Sequence, residues 1–220
     1  MAVTTVQTLL SQRVKITLQE LSENGTRWSN SELINWLNEA YQQVVSLRPD
    51  ASSANESVDL ESGTKQTIPA TGLRLLSLVR NTAAASSKRV ITTTSRSALD
   101  STRPGWHGEE ETVNVEQFIF DDMDPRTFYV YPPAAIGAEV EIIYSQVPSP
   151  HDVDYANSKT DPLKLPDSYA PAIADWIMYR AFSKDAEHSA NQARATGHYN
   201  AFMSAMGNKA QTDAATSPNA

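Results

Sequence analysis

The sequence contains no cysteine. Disulfides and thiolate metal sites are therefore excluded, and the fold needs no oxidising compartment. Nowhere do ~18 apolar residues run together, so no membrane span is predicted. Positive charge is scarce: 18 Lys and Arg stand against 26 Asp and Glu, a net charge of −8, with a pI near 5.0. Such a surface repels phosphate backbones, which disfavours gripping DNA but suits a wall that DNA must slide past. Phosphate-loop, dinucleotide, nucleophile-elbow and zincin motifs are all missing. The first ten residues lack a basic region followed by an apolar run, so no signal peptide is expected.

What is present suffices for a core. Hydrophobic residues make up 40% of the 220, enough for one domain of moderate size or a domain carrying an insertion. From Thr4 to Ser22, Val6, Leu9, Leu10, Val14, Leu18 and Leu21 recur at helical spacing and predict one amphipathic helix, ended by Asn24-Gly25. A second helix has a clear start: Ser29 as N-cap, Glu32 at the third helical position to close a capping box, and Trp28 placed to pack on Leu33. Such a cap is worth ~1 kcal/mol. Leu33, Leu37, Ala40, Tyr41, Val44 and Leu47 give its buried stripe, and Arg48-Pro49 stops it.

The period then changes. Val58 and Leu60, the Glu61 to Thr64 turn, and Gln66 and Ile68 predict a hairpin. Leu73 to Arg80 and Arg89 to Thr94 read as strands, and Ser97 to Thr102 as one helical turn. Val113 to Phe120 and Thr127 to Tyr131 form a second hairpin around Asp121-Asp122-Met123-Asp124-Pro125-Arg126, with Pro125 at the second position of a type I turn. This hairpin is apolar on both faces, so both must be covered; burial against neighbouring subunits is the expectation for the extra face. Val140, Ile142 and Tyr144 alternate with Glu139 and Glu141 as a strand with one wet face. After a polar loop from His151 to Lys164, a helix capped by Asp167 runs to about Phe182. A last helix runs from about Ala186 to Met206 with Gly207 as its stop.

The fold class is therefore α+β: a helical bundle built from both chain ends, two helices from each, with a central antiparallel β insertion. The expected divisions are 1–50, 51–150 and 151–207, then a polar tail at 208–220.

Candidate chemistry is thin. His188 and His198 are ten residues apart on one helix and fall on different faces, so solvated surface histidines are favoured over a metal pair. His107 follows Trp106 in a loop, where a local hydrogen bond is favoured over catalysis. Asp121, Asp122 and Asp124 suggest calcium, but the EF-hand pattern needs Gly and Glu where Arg126 and Pro132 stand. Glu109, Glu110 and Glu111 could supply a general acid only if one were buried with a raised pKa. Trp28, Trp36, Trp106 and Trp176 lack the interleaved Lys and Arg of a nucleobase platform, so packing is their expected role. No catalytic, metal or cofactor residues are expected. The candidate contact residues are Trp106, His107, Asp121, Asp122, Asp124 and Arg126, with Gln211, Thr212 and Asn219 in the tail.

Four stretches stand in order along nearly the whole chain. They are Arg27-Trp-Ser-Asn-Ser-Glu-Leu-Ile-Asn-Trp-Leu-Asn-Glu-Ala40 continuing to Leu47-Arg-Pro-Asp50; Ala98-Leu-Asp100 with Arg103-Pro-Gly-Trp-His107; Phe120-Asp-Asp-Met-Asp-Pro-Arg-Thr-Phe-Tyr-Val-Tyr-Pro-Pro133 with Val140 to Tyr144; and Leu165-Pro-Asp-Ser-Tyr-Ala-Pro171 with Tyr179-Arg-Ala-Phe-Ser-Lys-Asp185. Together they resemble the head-to-tail adaptor (connector) proteins of tailed phages, tail tubular protein A of short-tailed phages among them. The resemblance implies a structural virion protein of the neck, assembled in the host cytoplasm. It implies a homo-oligomeric ring, usually of twelve copies, between the portal protein and the tail nozzle or tube. DNA would pass through without specific binding, and no membrane or cofactor would be involved. The alternatives are a virion-associated hydrolase using Glu109 to Glu111 or Asp121 and Asp122, and a DNA-packaging or assembly factor, which would need a basic patch.

Overall fold

The computed structural model describes residues 4–185 and 189–216, the side chains of Ser189 and of 212–216 excepted. The chain is mixed α+β and divides into two units: Met1–Ala51 with Pro148–Ala220, and Ser52–Val147.

The first unit is helical. α1 (Val6–Leu9) is capped by Thr5, whose hydroxyl accepts the Thr8 N–H at 3.2 Å. A π-helical turn at Leu10–Val14 leads into α2 (Lys15–Leu18). The single helix expected to Ser22 is thus corrected twice. The π turn resets the helical phase, and Gln19, at φ 57°, ends the helix in the left-handed region well before Asn24-Gly25. Val6, Leu9, Leu10, Val14 and Leu18 are buried, whereas Leu21, expected on the same stripe, is 95% exposed. The following turn is built from polar bonds: the Glu20 carboxylate accepts the N–H groups of Ser22 and Arg27, and the buried Lys15 ammonium donates to the Ser22 and Glu23 carbonyls. Gly25 belongs to this turn. Its φ is +79°, and a Cβ there would lie 2.0 Å from the Trp28 carbonyl oxygen, so only glycine fits.

α3 (Asn30–Leu47) carries both halves of the Ser29–Glu32 capping box. Ile34 and Val45 widen its buried stripe, and Leu47 is half out at 43% exposure. A short helix, α5 (Tyr155–Ser158), interrupts the loop expected over 151–164. Asp167 does not cap the next helix as expected: it opens a 3-10 turn, Asp167–Tyr169, and its carboxylate accepts the Thr4 N–H at 3.2 Å. α6 (Ala170–Lys184) follows, with Pro171 in its first turn. It packs on α3 and on α7 (Ser189–Thr216). Trp28 donates its indole N–H to the Ala181 carbonyl, and Arg180–Glu39 and Lys184–Glu32 pair α6 with α3. Trp176 meets Tyr179 at 5.3 Å and Phe202 at 5.1 Å, in the tilted geometries that aromatic rings prefer. The stop expected at Gly207 is also corrected. α7 passes through that exposed glycine and extends to Thr216, so 208–216 is helix.

The second unit is two packed sheets. β1 (Ser53–Asp59), β7 (Glu139–Gln146) and β3 (Gly72–Asn81) form one in the order β1-β7-β3; β2 (Gly63–Thr67), β6 (Thr127–Ala134), β5 (Gln117–Phe120) and β4 (Thr92–Thr93) form the other in the order β2-β6-β5-β4. The hairpin expected around Glu61 to Thr64 does not exist. β1 pairs with β7, Ser53 opposite Ser145, while β2 crosses to the other sheet and pairs with β6. The β5–β6 hairpin forms, with β5 starting at Gln117 instead of the expected Val113, and its turn is closed by the Thr127 N–H donating to the Asp124 carbonyl. The strand expected over 89–94 shrinks to the two residues of β4, which run parallel to β5. Leu75, Leu78, Val140, Ile142 and Tyr144 from one sheet interlock with Phe118, Phe128 and Val130 from the other.

Candidate functional site

The far face of the β5–β6 hairpin holds the first candidate pair. α4 (Arg96–Thr102), capped by Ser95, and a 3-10 turn at Trp106–Gly108 lie over it. There Trp106 packs with Leu99, Ile119 and Tyr131. This corrects the expectation that neighbouring subunits cover the second apolar face, because the chain's own 96–108 segment does so. Trp106 is 1% exposed; its indole N–H donates to Asp100 at 2.9 Å and its ring meets the Tyr129 and Tyr131 edges. His107 stacks on Trp106 at 3.7 Å, and its Nδ1 lies 2.8 Å from the Thr64 hydroxyl. The pair therefore fastens a loop to a sheet. His107 is exposed, whereas the Trp106 ring is spent internally.

The second candidate group is the 121–126 turn. The Asp121 carboxylate accepts the Met123 N–H, Asp122 pairs with Arg74 at 2.6 Å, and Arg126 reaches the Ala70 carbonyl. The Ile68 and Leu75 N–H groups donate to the Arg126 and Pro125 carbonyls. The turn is thus pinned to the start of β3 and to the segment preceding it, while Met123 at its tip is 91% exposed. The Trp106 group and the turn stay separate candidates in one unit. In the other unit Gln211 is exposed on α7; the Thr212 side chain and all of Asn219 lie outside the described residues.

Two of the acids that a hydrolase would use, Glu109 and Glu111, have other partners. Glu109 accepts the Tyr131 hydroxyl at 3.0 Å and faces Arg103 at 3.4 Å, and Glu111 accepts the Ser62 hydroxyl. The carboxylates with displaced acidity move the wrong way for a general acid. Backbone N–H bonds, first that of Arg27, hold Glu20 below its usual range; bonds to Lys184, Arg48 and Arg80 do the same for Glu32, Asp50 and Glu141. Among the described residues, no three His, Asp or Glu side chains converge as a metal site, and no helix is long and apolar enough to cross a membrane. His198 is not a free surface histidine as expected: its Nδ1 lies 2.9 Å from Asp175 and its ring stacks on Phe182. His188 lies outside the described residues.

Two buried polar groups gave no signal in the local sequence pattern. His151 is 3% exposed within what looked like a plain polar loop. Asn38 brackets its main chain with two bonds, Tyr41 meets its Nε2 and Asp161 its Nδ1. Burial holds the His151 pKa below its usual value and pushes Tyr41 up to about 12. Every polar atom of His151 is engaged, so the Tyr-His-Asp set secures a loop. Asn81, at the end of β3, exchanges two 2.8 Å bonds with the main chain of Val115 and so ties one sheet to the approach of the other. Residues with polar side chains in apolar surroundings can be found from sequence only when their partners are already known.

The family model described as SU10 adaptor protein matches residues 4–220, all but the first three positions. No curated protein matches the chain.

Proposed function

We infer a structural role from one plain premise, that the chain belongs to the SU10 adaptor protein family and so to the phage adaptors. The chain is a subunit of a homo-oligomeric ring, of twelve copies, that joins the portal to the tail nozzle or tube in the virion neck. The helices from both chain ends form one bundle, and the β unit between them is the insertion. The ring performs no catalysis, and DNA passes through it without specific binding. The observation carrying this reading is the family match across residues 4–220. The net charge of −8 supports it, since an acidic channel wall does not retain a phosphate polymer.

The 208–220 segment is the portal-facing element. Its helical part to Thr216 extends α7 as a rod, with Gln211 exposed on it. The test is sedimentation of the purified chain, alone and with its portal protein. The proposal requires that it co-sediments with the portal as a ring. A chain that stays monomeric and ignores the portal refutes it.

A further inference from the structure

The β unit carries two surface features at opposite ends of one hairpin. At the 121–126 end, Met123 is 91% exposed, and Asp121 and Asp124 have no cation partner among the described residues. At the other end, beside Gln117 and Pro132, lies a cleft of about 640 Å³ lined by Ser87, Arg89, Val90, Thr112 and Glu116 among others. Val90 is 71% exposed there, and the exposed Arg89 guanidinium has no carboxylate partner among the described residues. Lys88 stands beside it, its ammonium donating to the Thr82 carbonyl. Ile136, in the β6–β7 turn at that same end, is 87% exposed.

The charges at the two ends are complementary: the turn carries Asp121, Asp124 and Arg126, and the cleft is lined by Arg89 and Glu116. One end presents an unbranched apolar side chain flanked by unneutralised carboxylates. The other presents a cleft with exposed aliphatic groups and an unneutralised guanidinium. Because the two lie at opposite ends of β5–β6, they cannot meet within one chain. Used one at a time, turn into cleft, they make a head-to-tail contact; used both at once they would make a two-fold dimer. Contacts of this head-to-tail kind close into rings or run on as filaments. Met suits such a role, since its three flexible torsions adapt to an irregular recess.

We propose that the Asp121–Arg126 turn of one copy seats Met123 in the Arg89–Val90 cleft of a second copy of this chain, with Asp121 and Asp124 facing Arg89. This rests on the ring reading above and names the contact within it. Removing Arg89 while adding a negative charge places like charges together, so R89D weakens assembly by about tenfold or more. D121K/D124K does the same. R89D combined with D121K/D124K in one chain restores assembly, because the reversed charges again face each other.

The direct test puts a photo-crosslinking residue at position 123 of the full chain, in rings assembled on the portal from mixed light- and heavy-isotope copies. The expected product is a mixed-isotope crosslink between the 121–126 peptide and the 87–92 or 112–117 segment. Rings that form with crosslinks only elsewhere, or that tolerate R89D and D121K/D124K alike, overturn this contact and leave the adaptor reading standing. A chain that assembles neither alone nor on the portal overturns both.

Discussion

Tyr41 and His151 meet inside the helical unit with the phenol oxygen 3.0 Å from the ring Nε2. The same oxygen accepts the Lys164 N–H at 3.2 Å, and His151 Nδ1 lies 3.3 Å from Asp161. A phenol that already accepts from Lys164 has its own proton free for Nε2, which must then be bare. The partners therefore select a neutral imidazole with its proton on Nδ1.

This makes folding stability depend on pH in one direction. Burial, against a partly opposing Asp161, depresses the folded pKa of His151 below its unfolded value of about 6.5. Between the two values the unfolded chain binds more protons, so stability is complete above about pH 6.5 and is lost as pH falls through the folded pKa. Urea unfolding midpoints for wild type and His151→Gln, compared at pH 7.5 and 5.5, check this. The wild-type loss on acidification should exceed that of the variant; equal losses would remove His151 from the account.

Tyr41→Phe leaves the Lys164 N–H and His151 Nε2 without their shared partner and costs about 1–3 kcal/mol. Hydrogen exchange at the Lys164 amide, which rises in the variant, separates loss of this contact from general loosening.

Asn81→Ala strips partners from both main-chain groups of Val115, which is 1% exposed. The expected cost is about 3 kcal/mol in the stability of the β unit. A midpoint unchanged by the substitution would show that water or rearrangement replaces the bonds.

Trp106 illustrates why burial matters to a functional assignment. Trp106→Ala is expected to destabilise the β unit by about 3–5 kcal/mol, with the charge contacts of the 121–126 turn intact. A variant as stable as wild type but defective in assembly would return Trp106 to the contact surface.

How much of this was legible follows the distance over which each signal acts. The Ser29–Glu32 box and the Pro125 turn are local, so their residues announce them. The strands flanking Glu61 to Thr64 look like a hairpin because both alternate and the gap is short. Their true partners, Ser145 for Ser53 and Thr127 for Thr67, are dozens of residues away. The apolar second face of β5–β6 announces that it is covered, but nothing in a strand's pattern says which segment lies on it. Gly207 reads as a stop only if it adopts a left-handed conformation. With alanines and other good helix formers beyond it, the helix continues at a cost of about 1 kcal/mol. His151 and Asn81 were silent because a polar residue's burial is decided by partners from elsewhere in the chain.

The C-terminal proposal is tested without disturbing the core by deleting 212–220, which keeps Lys209 over the Tyr169 ring at 5.0 Å. Portal attachment should weaken while the unfolding midpoint holds; undiminished attachment would remove this segment from the portal contact.

The central claim is that copies of this chain build a ring between portal and tail. Cryo-electron microscopy of the intact virion neck examines it most directly. The account predicts a rotationally symmetric layer of twelve subunits, each accommodating the helical and β units, around an open axial channel. A neck without this chain, or one holding isolated copies off the axis, would contradict it.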